Sequence, residues 1–451
     1  LSSNDQRWEE VKLLDLISIR HGYAFQGEFF SEVETSNILL TPGNFKVGGG
    51  FNDSKYKYYK EEAFVPEDYI LQKDDLIISM TDLSKNGDSL GFPALIDKLT
   101  GKQFLHNQRI GKVVLSQPDK IDQTFLYYSL CTRAYRHHVL STSTGSTVKH
   151  TAPKRILEYS LLLPSIQEQR QIGKILAELD KKIQLNNAIN KNLEEMAQAV
   201  FKQWFVDFEF PNENGEPYKP SGGELEESEF GLIPKGWKVG IATDIFNVQS
   251  GGTPKTGISE YWNGEIPFFT PKDTTNSFHV IDTEKKVTDE GLSKCNSKLY
   301  EMGTVFITAR GTVGKLAIAG RDMAMNQSCY ALVSKNGYTQ KYIFLQTQQL
   351  INKIKKSATG AVFDAITVST FQSLKTIIPN LDLVMRFDNI VEGIFSSLLN
   401  NANENQILSN LRDTLLPKLM SGEIRVPVEQ EYAQAVDLTM VAESSEKYSA
   451  N

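Results

Sequence analysis

Apolar side chains recur at Ile172, Leu176, Leu179, Ile183, Leu193, Met196, Val200 and Trp204, and between Gly173 and Pro211 the chain holds neither Gly nor Pro. Steps that alternate between three and four residues predict one long helix with a narrow apolar seam, the spacing of helices packed at coiled-coil angles. Adding 215 to each position gives Phe387, Val391, Ile394, Leu398, Leu408, Leu411, Leu415 and Leu419, a second seam of the same kind. The gap in each seam is filled by Asn: Asn186 and Asn190 in the first, Asn401 and Asn405 in the second. About 40 residues at ~1.5 Å each make a helix of roughly 60 Å.

Reflected about position 188, the first seam nearly maps onto itself, which suits an antiparallel partner. If residue numbers in the pair sum to about 591, Ile172 meets Leu419, Ile183 meets Leu408, Trp204 meets Phe387, Asn186 meets Asn405 and Asn190 meets Asn401. Buried Asn pairs lower stability but penalise slipped registers, in which an amide would face Leu. The alternative is that NNAIN and NNANEN are exposed turns that fold each helix into a hairpin; they lack the Gly or Pro that usually marks such a turn.

The segments before the two helices read as mixed α and β structure. β-type runs at 74–80 (DDLIISM), 110–115 (IGKVVL), 304–309 (TVFITA) and 315–320 (KLAIAG) alternate with Gly- and Asn-containing turns. A helical stretch precedes each long helix, TFLYYSLCTRAYRHHVL in one half and QKYIFLQTQQLINKIKK in the other, each with basic or potentially basic groups toward its end: Arg133, Arg136, His137 and His138, and Lys353, Lys355 and Lys356. Small polar loops follow, 141–150 (STSTGSTVKH) and 357–364 (SATGAVFD), whose backbone donors and hydroxyls suit phosphates and also ordinary turns.

The halves are related. Trp8, Asp15, Leu16 and Gly22 match Trp237, Asp244, Ile245 and Gly251 at an offset of 229; Asn107 and Gln108 match Asn326 and Gln327 at 219; Gly145 matches Gly360 and Pro164 matches Pro379 at 215. Ordered matches with a slowly falling offset mark an internal repeat. The reading is α+β: two mixed globular segments, 1–162 and 231–377, and two long helices, 163–210 and 378–424, with an acidic linker at 211–230 and an acidic tail at 425–451.

Charge at first argues against a nucleic-acid partner, since 48 basic against 55 acidic groups leave a net −7. Much of the acidity lies in the linker and the tail, and residues 231–377 alone carry 17 basic and 11 acidic groups. A basic surface on that segment is compatible with the total, as is a solvated mixed-charge one. At 40% apolar and 23% charged the composition is that of a soluble protein; no apolar run approaches the roughly 18 residues a membrane span needs, and LSSNDQRWEE lacks the order of a secretory signal, so cytoplasm is the expectation. Cys131, Cys295 and Cys329 lie far apart, which argues against a disulfide framework or a zinc module.

Enzymatic motifs are incomplete. In ARGTVGKL, Ala309 stands where a Walker loop needs its first Gly and Leu316 where Ser or Thr would bind magnesium. There is no Gly-rich dinucleotide or S-adenosylmethionine turn, and no Asn-Pro-Pro-aromatic or Asp-Pro-Pro-aromatic string to hold a target amine. Asp273 followed by Glu284, Lys285 and Lys286 loosely fits the acidic pair plus Lys of metal-dependent nucleases, a short and permissive pattern.

Several strings together carry a resemblance: GLIPKGWKV (231–239), SGGTPKT (250–256), YWNGEIPFFTPKD (261–273), TARGTVGKLAIAG (308–320), MNQSCYALV (325–333), LPSIQEQRQIGKIL (163–176) and LLPKLMSGEI (415–424). From Trp8 to about Gly422 the chain resembles the specificity subunit of type I restriction-modification systems. That family's Pro-x-x-x-Glu-Gln string stands at Pro164, Glu168 and Gln169, while in the second half Val384 replaces the Gln, which puts the helix-start contact there in question.

The resemblance implies that each globular half is a target recognition domain reading one part of a split, asymmetric double-stranded DNA sequence, with the antiparallel helix pair as the ruler and a pseudo-twofold relation between halves. It implies two modification subunits that bring S-adenosylmethionine, and restriction subunits that use ATP and magnesium; this chain would carry no cofactor, metal or catalytic residue and meet no membrane. Base edges need polar side chains, and phosphates need cations and backbone donors. The candidates are Arg20, Lys46, Lys85, Asn86, Thr144 and Lys149 in the first half and Lys255, Lys272, Arg310, Lys315 and Thr359 in the second. Two competing readings are a self-sufficient magnesium-dependent endonuclease using Asp273 and Glu284, and a protein-binding coiled-coil adaptor.

Overall fold

The structure, a computed structural model, describes residues 8–97, 101–275, 277–357 and 365–427. It divides into two compact units: unit 1 joins Leu1–Lys181 to Ser409–Asn451, and unit 2 is Lys182–Leu408.

Unit 1 holds an antiparallel sheet in the order Ile17–His21, Ile110–Leu115, Leu76–Ser79 and Pro93–Leu95. Beside it is a five-stranded mixed sheet in which Gln103–Leu105 runs parallel to Asn37–Leu39. Unit 2 repeats the first arrangement with Phe246–Ser250, Cys329–Ser334, Val305–Thr308 and Leu316–Ala319, and adds His279–Val280 in parallel at the edge. A two-stranded ladder closes each unit just before a long helix, Glu9–Lys12 with Ser160–Leu163 and Lys238–Ile241 with Lys375–Ile378. The β-type runs of the sequence therefore form the paired central strands, buried because Val, Ile and Leu there face packed layers on both sides.

The long helices are Ile166–Phe205 and Leu381–Ser421, each shorter at both ends than the sequence pattern suggested and each continuous through its Asn-rich middle. Within unit 1, Ile172, Leu176 and Leu419 are buried in one core. Within unit 2, Trp204, Phe387, Val391 and Leu398 are buried, with the Trp204 and Phe387 rings 5.9 Å apart. Leu179, Ile183, Leu193, Val200, Ile394, Leu408 and Leu415 are half-buried. Met196 and Leu411 correct the seam: they are 54% and 44% exposed. An α-helix drifts against a strict 3.5-residue repeat, and the next positions take over, Ala197 fully buried and Arg412 bonded to Asp180.

The Asn layer is a hydrogen-bonded network. Asn186 donates to Asn405 at 3.0 Å and to Glu404 at 2.8 Å, Asn401 donates to Asn190 at 2.8 Å, and Asn405 donates to Asn187 at 2.9 Å. These include the two pairs that a numbering sum of about 591 sets opposite one another.

Three further expectations need correction. The stretch before the first long helix is two helices, Gln123–Ser129 and Arg133–Ser141, because Thr132 breaks it and caps the second by accepting from the Tyr135 amide. Arg133 and Arg136 therefore lie in a first turn, not a last. The acidic stretch 211–230 is folded onto unit 2: Phe210 stacks on Tyr218 at 4.5 Å, and Leu225–Ser228 pairs with Gly231–Pro234. The residues assigned to an acidic tail begin with a built-in part of unit 1, since Arg425 bonds to Glu168; 428–451 lie outside the described residues. Among the described residues no helix is long and apolar enough to cross a membrane.

Candidate nucleic-acid interface

Four of the first-half candidates meet at one corner of unit 1. Thr81–Asp82 pairs with Lys149–His150, tying the loop after a central strand to the loop after the helix Arg133–Ser141. The first loop is wound around Asp82, whose carboxylate accepts from the Ser84 amide at 2.6 Å and from the Ser89 amide and hydroxyl. Burial pushes that carboxyl up, and the Ser89 and Ser84 hydrogen bonds outweigh it and hold the pKa below the usual Asp range. Lys85 and Asn86 stand exposed at the tip. Facing them, Thr144 bridges to His150, its hydroxyl accepts from Arg155 at 3.2 Å, and half-buried Lys149 lies against Gly87. Arg136 is not available to a ligand in this arrangement: it donates to the Leu90 and Gly87 carbonyls and lies over the Phe92 ring.

Unit 2 builds the same corner from different residues. Thr308 ends a central strand as Ser79 does, and its hydroxyl donates to the Thr312 carbonyl and accepts from the Lys315 amide at 2.9 Å. The loop 309–315 thus closes a turn between the antiparallel strands Val305–Thr308 and Leu316–Ala319, and is not the strand-to-helix turn of a nucleotide-binding loop. Arg310 and Lys315 are exposed on it, and Lys355 reaches the Gly314 carbonyl at 3.4 Å. Burial, with Lys315 nearby, lowers the Lys355 pKa. The second loop is anchored alike in both units: Thr151 donates to Met80 and Ile366 to Ala309, each at 3.0 Å. Thr359 lies outside the described residues.

Arg20, Lys46, Lys255 and Lys272 are also exposed but lie on other segments. Arg20 is on the edge strand Ile17–His21 beside Lys112, Lys46 opens the loop closed by its own amide on Gly50, Lys255 offers its carbonyl to Trp262, and Lys272 tops the turn Pro271–Asp273. Sequence reasoning missed the neighbouring loops Asn107–Arg109 and Asn326–Ser328, although their repeated Asn-Gln pair was visible. Asn107 and Asn326 fold each loop by accepting the amide two residues on, leaving Gln108, Arg109 and Gln327 exposed. Gly22 and Gly251 pack under these loops: a Cβ there would stand 2.2 and 2.1 Å from the Asn107 and Asn326 carbonyl oxygens, so only Gly fits.

The acidic group proposed for a nuclease is otherwise engaged. Asp273 accepts from the Thr270 amide and hydroxyl, both at 2.7 Å, and from the Glu284 amide at 2.9 Å. In unit 1 the same Thr-Pro turn is capped by neutral Asn44, which accepts from the Thr41 amide at 2.9 Å, so the position serves a turn. Among the described residues no three His, Cys, Asp or Glu side chains are grouped to hold a metal ion.

Residues 5–195 and 234–412 each match the family described as the type I restriction modification DNA specificity domain. The chain is 28% identical over 314 residues to the type I restriction enzyme MjaIX specificity subunit of Methanocaldococcus jannaschii, covering 68% of this chain and 70% of that one. It is 24% identical over 338 residues to the HindI specificity subunit of Haemophilus influenzae, covering 63% and 73%. A crystal structure of the S subunit of a type I restriction-modification system from M. genitalium shares the fold, with a TM-score of 0.54 at 16% identity over 93% of this chain and 98% of that one. With two copies of the domain matched over most of its length, the chain belongs to the type I restriction-modification DNA specificity family.

Proposed function

We propose that this chain is the non-catalytic specificity subunit of a type I restriction-modification complex, each unit reading one half of a split, asymmetric DNA target and the helix pair setting the gap. The observation that carries the reading is the duplicated corner: two units with one backbone plan present different polar tips, Lys85, Asn86, Thr144 and Lys149 in one, Arg310 and Lys315 in the other. A shared plan with divergent tips suits two readers of different words, and a continuous helix sets a fixed spacing as a flexible linker does not. Cations at the tips serve phosphates and orient the domain, while amide and hydroxyl side chains serve base edges.

The partners are two modification subunits and restriction subunits. S-adenosylmethionine with the adenine-methylating chemistry, and ATP with magnesium, belong to those partners. The role left to this chain is to bind, orient and space.

The test lengthens both helices together, by seven residues beside Asn187 and seven beside Glu404, so that the seam keeps its period. About 10 Å of added helix is expected to move methylated adenines in the assembled complex apart by about three base pairs. An unchanged gap with methylation retained would end the ruler reading. Magnesium-dependent cleavage of DNA by the isolated chain, lost on Glu284→Ala, would favour the nuclease instead.

A further inference from the structure

Positions 215 residues apart hold equivalent places in the two long helices and their exits, so the junctions can be compared pair by pair. In unit 1 both junction pairs are acid and base. Glu168, 4% exposed, accepts from Arg425 at 2.8 and 3.0 Å, and Asp180 accepts from Arg412 and from the Tyr128 hydroxyl, each at 2.7 Å. In unit 2 the matching residues are Leu383 and Phe210, and Phe395 and Ala197, all buried in one apolar core.

The seam between these junctions does not by itself choose a partner. Because the first helix nearly matches its own reversal about position 188, two first helices from two copies could align with Asn186 opposite Asn190, at a numbering sum of about 376. The junctions then decide. In such a like pair Phe210 takes the place of Arg425 and Ala197 that of Arg412, so two largely enclosed carboxylates lose their cations. In a pair of second helices Arg425 arrives beside Leu383 and Arg412 beside Phe395, so each guanidinium enters an apolar core. Either outcome leaves buried charge uncompensated.

We infer that the two junctions form a pairing code by which each long helix accepts the other and rejects its like in a second copy. The partner surface fits the complementary half and excludes the identical one. This goes beyond the DNA-binding reading and does not depend on it.

The experiment uses the full chain with a reporter, Ile189→Cys, 39% exposed at the edge of the seam and one residue from position 188, where a first helix would meet its own copy. Chains are unfolded in urea, refolded by dilution and treated with a short bismaleimide, against the same chain without the reporter. The chain with intact junctions is expected to give no linked dimer above that control. Glu168→Leu, Asp180→Phe, Arg412→Ala and Arg425→Phe in one chain give both units apolar junctions, and linked dimer is expected to rise several-fold. Asp180→Arg with Arg412→Asp keeps one acid and one base and is expected to stay at the intact level. A refolded, helical four-site variant with no dimer, or an intact chain that links as strongly, overturns the code. If the four-site variant aggregates, Asp180→Phe with Arg412→Ala alone carries the test, with the same two outcomes.

Discussion

At the Trp8 end of unit 1 and the Trp237 end of unit 2, one frame holds two chemistries. Each frame has an indole and a helix exit through a left-handed turn, at Gly422 with φ 75° and at Phe208 with φ 62°. A residue from that exit lies over each indole, Arg425 at 5.4 Å and Phe210 at 5.6 Å. Even the exit bond repeats, Ile424 to Lys418 at 3.1 Å and Glu209 to Gln203 at 2.9 Å. Beneath the indole, unit 1 places Glu168, which accepts from Trp8 at 3.3 Å, whereas unit 2 places Leu383 amid Phe205, Phe208 and Phe210. The repeat preserves shape while polarity changes in matched sets, because a buried carboxylate is tolerated only with its cation present. The polar version adds little net stability over a packed apolar one, but it is the more costly to break by halves.

Substitutions that remove one member test this contrast. Trp237→Ala empties a site that is 4% exposed and walled by aromatic rings, and is expected to cost unit 2 about 3–5 kcal/mol. Trp8→Ala, at a half-buried indole, should cost unit 1 about half as much. Hydrogen exchange in graded urea, read separately over 182–408 and the remainder, measures both, and equal losses would mean that the aromatic end is no tighter than the ionic one. Next in size is Arg412→Ala, which writes unit 2's Ala197 into unit 1 without its Phe. Asp180 then keeps only the Tyr128 hydroxyl, for an expected loss of about 2 kcal/mol from a partly exposed pair. A loss below about 0.5 kcal/mol, the scale of an exposed ion pair, would remove the asymmetry argued for these pairs.

The smallest effect concerns pH. Unit 2 has Glu194, which accepts from the Phe278 amide at 2.9 Å, where unit 1 has Ser409. Burial pushes the Glu194 carboxyl up to about 7 from 4.5, against hydrogen bonds from Phe278 and Ser277. The unfolded chain releases this proton first, so unit 2 loses stability as pH rises from about 4.5 to 7. Neighbouring His279 is lowered by burial to about 4 from 6.5, and contributes the opposite slope, stability gained as pH rises from about 4 to 6.5. Wild-type unit 2 should be nearly flat between pH 4.5 and 6.5, where the two windows overlap. Glu194→Gln should uncover the His279 contribution, a rise on the order of 1 kcal/mol. Urea midpoints across that range decide it, and a flat profile in the variant would count against both assignments.

The helix pair was legible in the sequence because three- and four-residue spacing is a local property. Met196 and Leu411 misled because helical drift decides which of two adjacent positions faces the partner, and that depends on packing. The corner was half legible: Lys85, Asn86, Thr144 and Lys149 stand in small polar loops, but only the ladder between Thr81–Asp82 and Lys149–His150 brings those loops together. Acidity disguised the segment 211–230, whose hold on unit 2 comes from Phe210, Tyr218 and a short hairpin. Glu168 was noticed as part of a string, but its partner Arg425 is 257 residues away and no local pattern links them.

That separation matters when the chain is made. The strands of unit 1 leave the ribosome first, yet Arg412, Leu419 and Arg425, which complete its core and its ion pairs, are translated after every residue of unit 2. During synthesis the earlier unit must wait, with Glu168 and Asp180 lacking their cations, while the later one can already close. A stop codon shortly after residue 408 would therefore injure the first-made unit and spare the second.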